Sequence, residues 1–193
     1  MDIWKYYDGD LKYPELGNYS HEKDMAKTNP KWAFEHILKH GKDKELEPII
    51  AKSAKYSYEY AIQILEDAFK LGEPEIAKSS IYSYMYATDI LNGKPFKLGE
   101  PAIAKDASFS FMYASDILNG KRFKLGEPAI AKDADSAIEY ALFILKKPWK
   151  EAEAIIAKVE FDARQYTQLV LKRDFYLDGK LICEYDEDED EDY

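Results

Sequence analysis

Thiols and imidazoles are scarce in this chain: Cys183 is the only cysteine, and His21, His36 and His40 are the only histidines. One cysteine closes no intramolecular disulfide and builds no cysteine-based zinc site, which agrees with a reducing compartment. The phosphate-cradling and metalloprotease patterns Gly-x-Gly-x-x-Gly, Gly-x-x-x-x-Gly-Lys-Ser/Thr and His-Glu-x-x-His are all missing. His36 and His40 stand four apart, which is metal-ligand spacing on a helix face, but the sequence implies no third ligand. A basic helix end is the simpler reading, so neither a metal nor a cofactor is expected. Carboxylates abound, yet none is flagged by spacing as a catalytic pair, and no enzyme is expected. No apolar run approaches the 18 or more residues of a transmembrane helix, so no membrane is expected as a partner. The opening MDIWKYYDGD lacks the basic-then-apolar pattern of a signal peptide, which makes cytoplasmic residence the expectation.

A net positive charge is also lacking. The net charge is −10, of which the run DEDEDED at Asp186–Asp192 supplies seven, leaving −3 on residues 1–185. A body this close to neutrality has no global field for phosphate, so nucleic acid is not expected as a direct ligand. Nor is it acidic enough overall to imitate the phosphate rows of DNA, although clustering on one face could still do so.

What the chain does have is repetition. The phrase GEPAIAKDASFSFMYASDILNGKRFKL at Gly99–Leu125 is preceded by a near copy at Gly72–Leu98 and followed by a degraded one from Gly126. Six marker lysines, Lys27, Lys52, Lys78, Lys105, Lys132 and Lys158, give a period of about 26 residues, in the range of solenoid-like architectures. Five residues before each lysine is a glutamate, and two before it is Met25, Ile50, Ile76, Ile103, Ile130 or Ile156, expected to be buried.

Glu73-Pro74, Glu100-Pro101 and Glu127-Pro128 predict the start of a short helix of about two turns, since proline suits a first turn and an acidic residue suits the positive end of the dipole. Ser53, Ser79, Asp106 and Asp133, with Thr28 in the same place of the first unit, predict caps for a second helix. That helix should run about three turns, for example over residues 107–118, and end at Asn92-Gly93 or Asn119-Gly120, where glycine takes the left-handed conformation. Its equivalent tyrosines, Tyr60, Tyr86, Tyr113, Tyr140 and Tyr166, are followed by a small residue and then by an Ile-Leu or Val-Leu pair, one amphipathic face.

The fold class follows: all-α, a solenoid-like array of helix-turn-helix repeats over residues 22–172, with an aromatic N-terminal cap at 1–21, a β-hairpin cap at 173–185 and an acidic tail at 186–193. Asp178-Gly179 between two β-prone runs is the hairpin signal, and a lone hairpin should lean on the last helix. An array with an exposed apolar end can also close as a homo-oligomer.

Function should live where the units differ: Thr88, Ser115 and Leu142; Asp89, Asp116 and Phe143; Pro95 and Arg122. The in-register Glu and Lys rows are expected to be structural. The partner-binding strip selected from the sequence comprises Tyr82, Tyr84, Phe109, Phe111 and Tyr113 with Asp89 and Asp116, although an aromatic stripe at helical spacing is more often core. The tail, Asp186, Glu187, Asp188, Glu189, Asp190, Glu191 and Asp192, either stays solvated or docks in a basic groove of a partner.

The unit GEPAIAKDASFSFMYASDILNGKRFKLGEPAIAKDA resembles short-helical-repeat proteins encoded by bacteriophages, over Lys27–Lys158 and most strongly over Glu73–Lys132. The resemblance implies an α-helical repeat fold and a viral origin, and it brings no catalytic residues. With it, the expected function is a non-enzymatic accessory factor that binds and inhibits or redirects a host protein, such as a defence enzyme. The competing expectation is a nucleic-acid mimic using the tail and the aspartates at 89, 116, 133 and 135.

Overall fold

A computed structural model of the chain describes residues 19–187. These fall into two compact units, the first ending at Ile76 and the second beginning at Ala77. The N-terminal cap expected over residues 1–21 lies, up to residue 18, outside the described residues. Both units are mainly helical, and the second ends in a small antiparallel hairpin. Among the described residues no helix is long and apolar enough to cross a membrane.

The first unit contains α1 (Tyr19–Ala26), α2 (Pro30–His40), α3 (Glu47–Ile50), α4 (Ala54–Tyr60) and α5 (Glu73–Ile76). The second contains α6 (Ser80–Met85), α7 (Glu100–Ile103), α8 (Ala107–Met112), α9 (Glu127–Ile130), α10 (Ala134–Glu139), α11 (Lys150–Ile156) and α12 (Glu160–Tyr166). Within it α6 packs on α8, α8 on α10 and α10 on α12.

The Glu-Pro starts occur as expected, but α3, α5, α7 and α9 are four residues long, one turn rather than two. In α11, Ala152 and Ala154 stand where the three preceding units have glycine and proline, and the helix begins earlier, at Lys150. The caps hold: Ser53, Ser79, Asp106 and Asp133 accept from the backbone N–H of Tyr56, Tyr82, Phe109 and Ser136. In the first unit the capping residue is Asn29, which accepts from the Lys31 N–H, and Thr28 instead donates to the Met25 carbonyl.

The expected three-turn helix differs in kind at its end. After α4, α6, α8, α10 and α12 the chain widens into π-helical turns, Ala61–Leu65, Tyr86–Ile90, Tyr113–Ile117, Tyr140–Leu145 and Thr167–Leu171. Bonds such as Leu118 N–H to the Tyr113 carbonyl, 2.9 Å, span five residues instead of four. A left-handed residue follows each turn, directly at Glu66, Lys146 and Lys172 and one residue later at Asn92 and Asn119, all with φ near 50°. Gly93 and Gly120, the expected left-handed glycines, have positive φ as the second residue of such a pair.

The core is the set of equivalent residues. Ile50, Ile76, Ile103, Ile130 and Ile156 are fully buried, as are Tyr60, Tyr86, Tyr113, Tyr140 and Tyr166. Each tyrosine ring packs on an aromatic from the segment that follows, Phe69, Phe96, Phe123, Trp149 or Phe175, with centroids 4.9 to 5.5 Å apart. The hydroxyls of Tyr60, Tyr113, Tyr140 and Tyr166 donate to Glu47, Glu100, Glu127 and Glu153. A part-buried bond to a carboxylate contributes about 1.5–3 kcal/mol, more than an ordinary hydrogen bond. The glutamates also receive connector cations, Lys70 on Glu73, Lys97 on Glu100 and Arg122 on Glu127, while the marker lysines 52, 78, 105, 132 and 158 are exposed.

In the hairpin, β1 (Phe175–Leu177) pairs with β2 (Lys180–Cys183) around Asp178-Gly179, both with positive φ. This is the turn that the Asp-Gly pair predicts. Phe175 is buried against Tyr166, and β2 packs on α12, so the hairpin leans on the last helix.

Candidate functional site

The strip chosen from sequence divides in the structure. Tyr84, on α6, donates from its hydroxyl to Asp116 Oδ2 at 2.6 Å, and its ring lies 5.7 Å from that of Phe109 on α8. Burial, and then Asp116, pushes the Tyr84 phenol up to about 12. Those three side chains meet on one face. Tyr82 and Phe111 are half-buried, and Asp89 is exposed. Tyr113 is fully buried and bonded to Glu100, which takes it into the core.

The largest exposed aromatics lie farther along. In the π-helical turn after α10, Leu142 and Phe143 occupy the places held by Thr88-Asp89 and Ser115-Asp116 in the two preceding repeats. Phe143 is 56% exposed, and Phe161, on α12, is 65% exposed. With Ile138, Leu142 and Leu169 they line a groove of about 500 Å³ whose remaining walls are Asp135, Glu139 and Gln165. A second hollow of about 350 Å³ shares Leu142 and Leu169 and continues to Val170, Pro148, Lys146 and Lys147. The apolar floor is therefore continuous across both.

One rim is strongly acidic. Burial raises the Glu139 carboxyl above the ordinary value, and Asp135 and Asp133 push it further by like-charge repulsion. Asp162 is raised for the same reasons in the same order. Such crowding disfavours the charged forms, and a cation placed at the rim would relieve it. Phe161 was not singled out from the sequence. The signal available for the rest of the groove was the change from a polar pair to Leu142-Phe143 at varying positions.

The tail begins beside α12. The Gln168 side-chain amide accepts from Asp186 N–H at 2.9 Å and donates to the Asp186 carbonyl at 3.2 Å. Tyr185 N–H donates to Asp174 Oδ1 at 3.0 Å. Asp186 and Glu187 thus border a hollow of about 530 Å³ with Glu160, Arg164 and Ile182. Asp188, Glu189, Asp190, Glu191 and Asp192 lie outside the described residues.

No family model, curated protein or solved structure matches the chain.

Proposed function

We propose that the chain is a solenoid-like array of about 26-residue helix-turn-helix repeats that works as a non-enzymatic protein-binding factor. Its partner presents an apolar segment flanked by lysine or arginine, seated on Leu142, Phe143 and Phe161. The observation that carries this reading is the exposure of two phenylalanines over an apolar floor beside crowded carboxylates. Exposed aromatics in a concave setting are the usual anchors of protein interfaces, and the acidic rim supplies charge complementarity to a basic flank. Following the phage resemblance, the partner is a host protein that the array inhibits or redirects.

The second reading, a nucleic-acid mimic, draws support from the same rim, where Asp133, Asp135, Glu139 and Asp162 gather negative charge. Affinity capture from a bacterial host lysate separates the two. The full chain and the double variant Phe143→Asp/Phe161→Asp are immobilised, and retained proteins are identified by mass spectrometry at low and high salt. The binding reading expects one host protein held at both salt concentrations by the parent chain and lost by the variant at unchanged melting temperature. Retention by both chains that disappears at high salt overturns it in favour of the mimic.

A further inference from the structure

The first unit carries a second cluster, completed by a residue from another helix. The Asn29 cap and the short link between α1 and α2 fold the two helices against each other. The spacing of four brings His36 and His40 to one face near the end of α2, with ring centroids 4.6 Å apart. Glu22 on α1 faces them: its Oε2 lies 2.9 Å from His40 Nε2. One ligand atom from each of Glu22, His36 and His40 falls within 4.8 Å of the others. Glu22 is 4% exposed and His36 fully buried, while the His40 side chain is 25% exposed and gives the cluster an opening to solvent.

We infer that Glu22, His36 and His40 form a binding site for one divalent transition-metal ion of the zinc class. Two imidazoles and a carboxylate are a donor set that zinc accepts, with bonds of about 2.0–2.2 Å. Tetrahedral bonds of that length hold neighbouring ligand atoms roughly 3.4 Å apart. The three side chains reach that spacing by small rotations, with the ion taking the place of the Glu22–His40 hydrogen bond. Water entering past His40 fills the fourth position. Lys39, whose ammonium lies 3.0 Å from Glu22 Oε1 and 3.2 Å from Oε2, gives up Oε2 to the ion, keeps Oε1 and orients the carboxylate. The ion would clamp α1 to α2. The donor types exclude calcium and magnesium as preferred guests, because both favour all-oxygen shells.

The test uses the full chain after removal of metal with a chelator. Titration with Co²⁺ should give one equivalent with the intense visible bands of a four- or five-coordinate nitrogen-containing site, displaced by Zn²⁺. Glu22→Gln and His36→Gln should each weaken Zn²⁺ at least about 100-fold in competition with a chromophoric chelator. His21→Gln removes the remaining histidine, which is exposed one residue before Glu22, and should change nothing. Circular dichroism on each variant monitors folding. Histidine ¹⁵N shifts of the unmutated chain with and without Zn²⁺ give an answer that needs no variant, because the ring nitrogens of His36 and His40 should move and those of His21 should not. Absence of one-to-one binding, weak six-coordinate Co²⁺ bands, or a site that survives both substitutions would overturn the assignment.

Discussion

Helix α8 and helix α10, each with its π-helical turn, carry the same interior under different surfaces. Asp106 and Asp133 cap them, Ser110 and its counterpart Ala137 are buried, and Tyr113 and Tyr140 reach back to Glu100 and Glu127. Outside, Ser115-Asp116 in one becomes Leu142-Phe143 in the other, and Asn119-Gly120 becomes Lys146-Lys147. The difference teaches where change is tolerated. Residues that touch a neighbouring helix obey the packing of that helix, whereas those facing solvent are free of that constraint.

The most damaging test breaks both repeats alike. Burial pushes the phenols of Tyr113 and Tyr140 far above their ordinary range and that of Tyr166 to about 12. A raised folded-state value means stability that is whole below the unfolded pKa of about 10 and is lost as pH rises through the folded one. Circular dichroism and phenolate absorbance should therefore change together in one alkaline transition above about pH 11, with little phenolate from these residues before it. Early, independent ionisation of these residues would show that the common interior is looser than described.

Gly126→Ala comes next and attacks the junction of the two repeats. A Cβ there would stand 2.6 Å from the Ser110 Cβ and 2.7 Å from the Phe123 ring, and overpacking of this kind costs about 3 kcal/mol. The equivalent position before α12 already holds a buried alanine, Ala152. Urea denaturation of Gly126→Ala beside the parent chain measures the loss, and an unchanged midpoint would mean that the two repeats can move apart at that point.

Swapping the surfaces should spare the frame. Phe143→Asp copies the residue at position 116 and should weaken partner binding by about 2 kcal/mol, roughly 30-fold, the scale of an interface anchor. Its unfolding free energy should stay within about 0.5 kcal/mol of the parent. Calorimetric titration against the captured partner, with a thermal melt on the same sample, reads both quantities. The smallest effect sharpens the contrast at the ends of the turns: Lys146 has φ 53°, a conformation glycine adopts without strain, so Lys146→Gly should gain about 0.5–1 kcal/mol. Asn119→Gly, starting from a residue that already tolerates that conformation, should gain less.

Much of this was legible from residue order. The caps at Ser53, Ser79, Asp106 and Asp133 and the Asp178-Gly179 turn depend on interactions within four residues, which a linear pattern records. The buried isoleucines and tyrosines were legible because repetition displayed each of them five times. The π-helical turns were not, since apolar residues three and four apart suit an α-helix as well. Tyr113 belongs to that repeated set, so its burial was legible; that Tyr84 lies beside Asp116 and Phe109 was not, because the neighbouring helix decides it. The groove was half visible, in Leu142 and Phe143 but not in Phe161.

Residue order alone therefore determined the helical class, the Glu-Pro helix starts, the caps at Ser53, Ser79, Asp106 and Asp133 and the hairpin, because each follows from backbone preferences and short-range hydrogen bonds. Tertiary structure decided which cation pairs with each repeated glutamate, which aromatics face solvent, and that Glu22 meets His36 and His40 across two helices. Those outcomes depend on side chains brought together from separate elements, and distance along the chain carries no record of distance in space.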